Sequence, residues 1–76
     1  MKYLVLFEPT STGWSAYVPD LPGCIATAKT KEKADQLMRE GIEFHIEGMR
    51  LDGEAVPAPT TEAQYVSIYI QESLPS

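Results

Sequence analysis

Short stretches of alternating or continuous apolar residues predict four β-strands. Lys2–Glu8 is apolar at both alternating sets of positions, which is typical of a central strand covered on both faces. Trp14–Val18 and Cys24–Ala28 are β-prone segments that follow turn-forming residues. Gln64–Gln71 alternates most clearly, with one face formed by Val66, Ile68 and Ile70 and the other by Tyr65, Ser67 and Tyr69.

Between the third and fourth predicted strands, the apolar spacing changes to that of an amphipathic helix. Thr30 can cap a helix that runs to about Leu51, where Asp52-Gly53 would end it. Gly41 lies near the middle of the apolar stripe, so we expect it to let the helix approach the sheet closely. The stripe is formed by Ala34, Leu37, Met38, Gly41, Ile42, His45 and Met49.

The element order β-β-β-α-β predicts an α+β fold. Two hairpins and a right-handed crossover would give a mixed four-stranded sheet in the order 3-2-1-4, with the helix on one face. If Leu4 and Leu6 point toward the helix with Val66, Ile68 and Ile70, the open sheet face carries an apolar patch. We expect this patch to form the interface of a homodimer or higher homo-oligomer; its residues are Tyr3, Val5, Phe7, Tyr17, Tyr65 and Tyr69.

The chain has 76 residues and a net charge of −5, with 11 acidic and 6 basic side chains. This length favours a single domain over residues 1–76. The negative charge argues against direct nucleic-acid binding and favours a basic partner. The proposed contact is the acidic helix face, Glu40, Glu43 and Glu47, although a merely solvated face would show the same pattern.

Few residues could support catalysis or metal binding. Cys24 is the only cysteine and His45 the only histidine, so we expect a packed thiol, a structural histidine, no metal site and no cofactor. The carboxylates do not form the converging set that metal-dependent nucleases need. The sequence therefore predicts a non-enzymatic protein, and the short N-terminal apolar run and single cysteine favour the cytoplasm without membrane attachment.

The segment between the second and third strands carries a resemblance to a known family. Tyr17-Val18 is followed by Pro19, Asp20, Leu21, Pro22, Gly23 and Cys24, whose prolines, Asp and Gly force the chain to turn. Together with Ile42–Gly48 on the helix and Asp52-Gly53-Glu54 before Val56–Pro59, this segment resembles the HicB antitoxin family. The resemblance implies a partial ribonuclease-H-like fold and a role in neutralising HicA, a small basic toxin that cleaves RNA. We interpret Pro19–Cys24 itself as structural.

Many members of that family carry a C-terminal DNA-binding domain. The chain reaches Ser76 directly after the fourth predicted strand, so we expect no such domain and no DNA binding by this chain alone. Two alternatives to a toxin-neutralising antitoxin stay open: an orphan HicB-like oligomeric binding protein, and a sheet whose aromatic residues stack single-stranded RNA. The negative charge weighs against RNA.

Overall fold

A computed structural model describes residues 1–71 and contains three strands and one helix. The strands are β1 (Leu6–Pro9), β2 (Trp14–Tyr17) and β3 (Ile25–Ala28), and the helix is α1 (Lys31–Leu51). Neighbouring strands pair antiparallel, so that the sheet has the order β1-β2-β3. The two hairpins and the long helix agree with the sequence prediction.

The turn between β1 and β2 requires a glycine. The Thr10 N–H donates to the Gly13 carbonyl oxygen at 2.8 Å, and the Gly13 N–H donates back to the Thr10 hydroxyl oxygen at 3.0 Å. A Cβ at position 13 would lie 2.2 Å from the Ala28 carbonyl oxygen. The turn therefore packs directly against the end of β3.

The connection from β2 to β3 is a tight double turn. The Leu21 N–H donates to the Val18 carbonyl, and the Cys24 N–H donates to the Leu21 carbonyl, both at 3.1 Å. The Val18 N–H closes the turn by donating to the Cys24 carbonyl, and Gly23 adopts a φ of +85°. This backbone directs the Leu21 side chain inward, where it is completely buried.

Both ends of α1 carry well-formed caps. The Thr30 hydroxyl oxygen accepts a hydrogen bond from the Lys33 N–H at 3.1 Å. At the other end Gly53 has a φ of +70°, its N–H donates to the Arg50 carbonyl, and the Glu54 N–H donates to the Met49 carbonyl. This pair of bonds is a Schellman motif, which satisfies carbonyls that the helix leaves unpaired.

The core is small and lies beneath α1, which packs on β2 and β3 and barely touches β1. Leu21 and Met38 are its largest fully buried side chains. The remaining buried residues are Ala16, Val18, Cys24 and Ala34. Alanines under the helix let it approach the sheet, whereas a Cβ at Gly41 would meet nothing within 4 Å. The expectation that Gly41 permits the close approach is therefore wrong.

The predicted fourth strand is absent from the part of the chain that the structure describes, so the four-stranded order 3-2-1-4 is wrong. Residues 64–71 belong to no helix or strand and pair with no strand, and Ile68 is 75% exposed. The molecule measures 62 Å along its longest axis, with a radius of gyration of 16.7 Å, whereas a compact chain of this length would have about 11 Å. Alternation predicts that a segment is β-prone, but it does not specify the strand with which the segment pairs.

The orientation of β1 is also opposite to the prediction. Phe7 pairs with Ala16, which pairs with Ala26, and this face of the sheet lies under α1. Tyr3 and Val5 pack on the same side, at the margin of the core. Residues 3–7 are apolar at both alternating sets of positions, and a shift of one residue exchanges the two faces. The pattern alone could therefore not decide which set faces the helix. Strand β1 is an edge strand and not a central one.

Candidate partner-binding surfaces

An acidic ridge runs along the solvent-facing side of α1. Glu40, Glu43 and Glu47 are all exposed, and their spacing of three and four residues places them on one side of the helix. Within residues 1–71 the one salt bridge joins Arg39 to Asp35 at 2.8 Å. The Arg39 guanidinium therefore already has a carboxylate partner, and the three glutamates are available to a basic partner.

Two large apolar side chains accompany this ridge. Phe44 is 82% exposed and Leu51 is 78% exposed. Phe44 lies one turn from both Glu40 and Glu47, and Leu51 lies one turn beyond Glu47. Exposed aromatic residues beside charged groups are typical anchors of protein interfaces. The prediction from sequence omitted both, although an apolar residue on the polar face of an amphipathic helix is a readable signal.

Phe44 also borders a shallow cleft of about 470 Å³ next to the double turn. Leu21 and Pro22 form one wall of this cleft, and His45 and Met49 contribute from the helix. The Pro19–Cys24 segment therefore lies beside the candidate contact surface as well as shaping the turn.

Asp20 fixes the segment that follows the helix. Its carboxylate accepts hydrogen bonds from the N–H groups of Thr60 and Thr61, at 3.1 and 3.0 Å, and from both threonine hydroxyls. These bonds, first those from Thr61, lower the pKa of Asp20 below its ordinary value of 3.8. The Tyr3 hydroxyl donates to the Pro57 carbonyl nearby. The sequence had suggested only a local turn-capping role for Asp20.

The six residues predicted as an oligomer interface do not form one patch. Tyr3, Val5 and Phe7 lie on the helix side of the sheet. Tyr17 pairs with Leu6 and Ile25, and their side chains share the open face. Tyr65 and Tyr69 are fully exposed on the extended tail. The aromatic platform that RNA stacking would need is therefore not assembled in the described residues.

Cys24 and the potential metal ligands are the remaining reactive groups in the part of the chain that the structure describes. Cys24 is a buried thiol whose Sγ lies 3.8 Å from the Met38 Sδ, and burial raises its pKa. Within residues 1–71, His, Cys, Asp and Glu side chains form no group of three that could hold a metal ion. In the same range, no helix is both long enough and apolar enough to cross a membrane.

A small sheet under one helix, with an acidic ridge and exposed apolar anchors, has the features of a protein-binding domain. The sequence model described as the HicB_like antitoxin of bacterial toxin-antitoxin systems matches residues 3–69. The chain therefore belongs to the HicB-like antitoxin family.

The chain is also similar to two further proteins and to one chain of a solved structure. An uncharacterized 14.9 kDa protein of Haemophilus phage HP1, from its rep-hol intergenic region, is 37% identical over 67 residues, which are 88% of this chain and 50% of the phage protein. The UPF0150 protein ssr1765 of Synechocystis is 33% identical over 91% of this chain and 89% of its own length. A chain from the HicA3 and HicB3 toxin-antitoxin complex superposes with a TM-score of 0.67 and 27% identity, over 79% of this chain and 70% of that one. This chain thus spans half the length of the phage relative.

Proposed function

We propose that this protein is an antitoxin that neutralises a small basic HicA-type RNA-cleaving toxin by binding it directly. Family membership and the likeness to a chain of a toxin-antitoxin complex support this proposal. The observation that carries it is the acidic ridge, Glu40, Glu43 and Glu47, with Phe44 exposed between the glutamates.

The ridge can compete with RNA for the same basic surface. A protein that binds RNA presents Lys and Arg side chains to phosphates, and carboxylates spaced along a rigid helix can pair with those cations instead. Opposite charges also accelerate the encounter, because the chain carries a net charge of −5. Neutralisation in this way requires no catalysis by the antitoxin.

Phe44 would provide most of the short-range affinity. An aromatic residue that becomes buried at the centre of an interface commonly contributes about 2 kcal/mol or more, which corresponds to roughly 30-fold in Kd. The glutamates would contribute mainly to the association rate and its salt dependence. We place the protein in the cytoplasm, because Cys24 is a free thiol and the proposed partner acts on RNA.

The test looks for a small basic HicA-like protein encoded beside this gene and measures growth rescue and binding with it. Co-expression should restore growth, and the double variant Glu40→Lys/Glu47→Lys, at two ridge positions outside the groove beside β1, should lose rescue and slow association. The matched control combines Glu8→Lys with Glu62→Lys, which changes the net charge equally at exposed positions away from α1. Equal loss in both double variants would leave no role for the ridge.

The variant Phe44→Ala tests the contribution of the apolar anchor separately from that of the glutamate charges. We expect about 30-fold weaker binding with an almost unchanged association rate. The control is Ile25→Ala, which removes an exposed apolar side chain from the open sheet face. Absence of any rescue or binding by the wild-type chain would favour the orphan alternative.

A further inference from the structure

The position of α1 leaves a groove beside the segment that leads into β1. The helix covers β2 and β3, so this side of the molecule is only partly covered. The groove has a volume of about 630 Å³, with Tyr3 and Val5, which precede β1, on one side and Met38 and Ile42 of the helix on the other. These four side chains are apolar or aromatic, and the charged lining residues are Lys2, Asp35, Arg39 and Glu43.

The groove adjoins a free sheet edge. The Thr10 N–H donates to the Gly13 carbonyl, and hydrogen-bonded pairs alternate along an antiparallel ladder. The next residues whose backbone groups bond each other across the ladder are therefore Glu8 and Ser15. Because Phe7 lies between two such pairs, its N–H and carbonyl point away from β2. Pro9, which has no N–H, limits the length of this edge. An added strand would find backbone partners at Phe7 and an apolar groove beside it.

The tail contains a segment with matching properties. Residues 64–71 belong to no helix or strand, alternate in the manner of a β-strand, and contain no charged residue from Gln64 to Ile70. Val66, Ile68 and Ile70 share one face of this segment and are 67%, 75% and 74% exposed. An uncharged β-prone segment with exposed isoleucines is unfavourable in water unless another surface covers it.

Asp20 sets the base of this segment by holding Thr60 and Thr61. Beyond that point the tail leaves the body of its own chain, which accounts for the long axis of 62 Å. Each copy thus presents one uncovered β-prone segment and one uncovered groove. In a two-fold dimer, the segment of each copy can fill the groove of the other copy.

We propose that residues 64–71 of one copy add as a strand to the free edge of β1 in a second copy. Val66, Ile68 and Ile70 enter the groove between residues 1–5, which lead into β1, and α1 of that second copy, and Ser67 and Tyr69 extend its open face. The exchange is reciprocal and gives a dimer. It concerns this chain alone and does not depend on the presence of a toxin.

The first experiment measures the mass of the full chain in solution by light scattering at micromolar concentrations. We expect twice the 8.4 kDa of one chain. Ile68→Asp should yield the single-copy mass, because Asp35 and Glu43 on the groove rim would repel an added carboxylate and the apolar side chains cannot solvate it. Ser67→Asp is the matched control, since this neighbouring side chain would face solvent, and it should keep the dimer mass. A single-copy wild type, or equal behaviour of the two variants, would overturn the proposal.

The second experiment locates the contact. One sample carries Leu6→Cys and the other Tyr69→Cys, both in a Cys24→Ala background, and the two are unfolded, mixed, refolded and oxidised. A disulfide between them can form only between different copies, and we expect it because Leu6 and Tyr69 would share the open face of neighbouring strands. Thr27→Cys on β3, at the opposite sheet edge, replaces Leu6→Cys as the control. Equal cross-linking to Thr27→Cys, or none to Leu6→Cys, would contradict the proposed pairing.

Discussion

Leu21→Ala should be among the most destabilising single substitutions in this chain. Leu21 is 0% exposed and is one of two large side chains that are fully buried in a core of six residues. Leucine-to-alanine changes in cores cost about 2–5 kcal/mol, depending on how far the site can collapse. Here Val18 and Cys24 hold the backbone on both sides of Leu21 through hydrogen bonds, so the cavity cannot close easily. We therefore expect a loss of about 3–4 kcal/mol.

That loss is large because a chain of this length has a total unfolding free energy of about 4–11 kcal/mol. The assay is urea unfolding followed by the fluorescence of Trp14, the single tryptophan, which packs against the core. With a slope near 1 kcal/mol/M for so small a protein, the midpoint should fall by about 3 M. Protein concentration must be held constant, because dimerisation would raise the apparent stability.

The control for this measurement is Ile25→Ala. Ile25 is 67% exposed, so the same loss of an aliphatic side chain should change the free energy of unfolding by about 0.5 kcal/mol. A cost below about 1 kcal/mol for Leu21→Ala, or one equal to that of Ile25→Ala, would refute the inference that the double turn serves to bury Leu21.

The remaining predictions concern two glycines and Asp20. Gly41→Ala should raise the free energy of unfolding by about 0.5–1 kcal/mol in urea, since the added Cβ meets no atom within 4 Å; a loss would contradict the open geometry. Gly13→Ala should lower it, because its Cβ would collide with the Ala28 carbonyl, and an unchanged midpoint would argue against that contact. The pKa of Asp20 is lower in the folded state than its ordinary value of 3.8. The ionised carboxylate therefore contributes fully to stability at pH values above 3.8, and this contribution is lost as the pH falls through the folded-state pKa. In an NMR titration the midpoint of the pH-dependent movement of the Thr61 amide signal should lie below 3.8, whereas in Asp20→Asn the signal should already be shifted at neutral pH.

The hairpins and the helix could be predicted because local signals define them. Thr30 and Gly53 stand where a helix cap and a helix-ending residue are needed, and both perform those roles. The turn at Gly13 and the double turn before Cys24 are likewise encoded by residues within a few positions of each other. Local hydrogen bonds therefore account for most of what the sequence predicts correctly.

The face of β1 that meets the helix could not be predicted from the residues of β1 and its leading segment alone. Tyr3, Val5 and Phe7 are as apolar as Leu4 and Leu6, so either set could face the helix. The small residues Ala16 and Ala26 decide the matter, because α1 packs above them and Phe7 is in register with both. Reading the alanines as the helix-facing set would have indicated the correct face.

Asp20 illustrates a different limit of sequence interpretation. A turn-capping Asp and an Asp that holds a segment 40 residues away have the same local sequence, and only the fold brings Thr60 and Thr61 to it. The exposed positions of Phe44 and Leu51 were readable from helical spacing, but the direction of the tail was not. The hydrogen bonds from Thr60 and Thr61 to Asp20, and not β-propensity, set the point at which residues 64–71 leave the body of the chain.

The two proposed surfaces adjoin each other on α1 at one residue, Glu43. Its side chain belongs to the acidic ridge and also lies on the rim of the groove beside β1. Phe44 and Glu47 contribute to the ridge without lining that groove. A strand inserted from a second copy would therefore border Glu43 while leaving Phe44 exposed, so a dimer can still present its anchor to a toxin. Glu43 is consequently the position at which self-association and partner binding can influence each other.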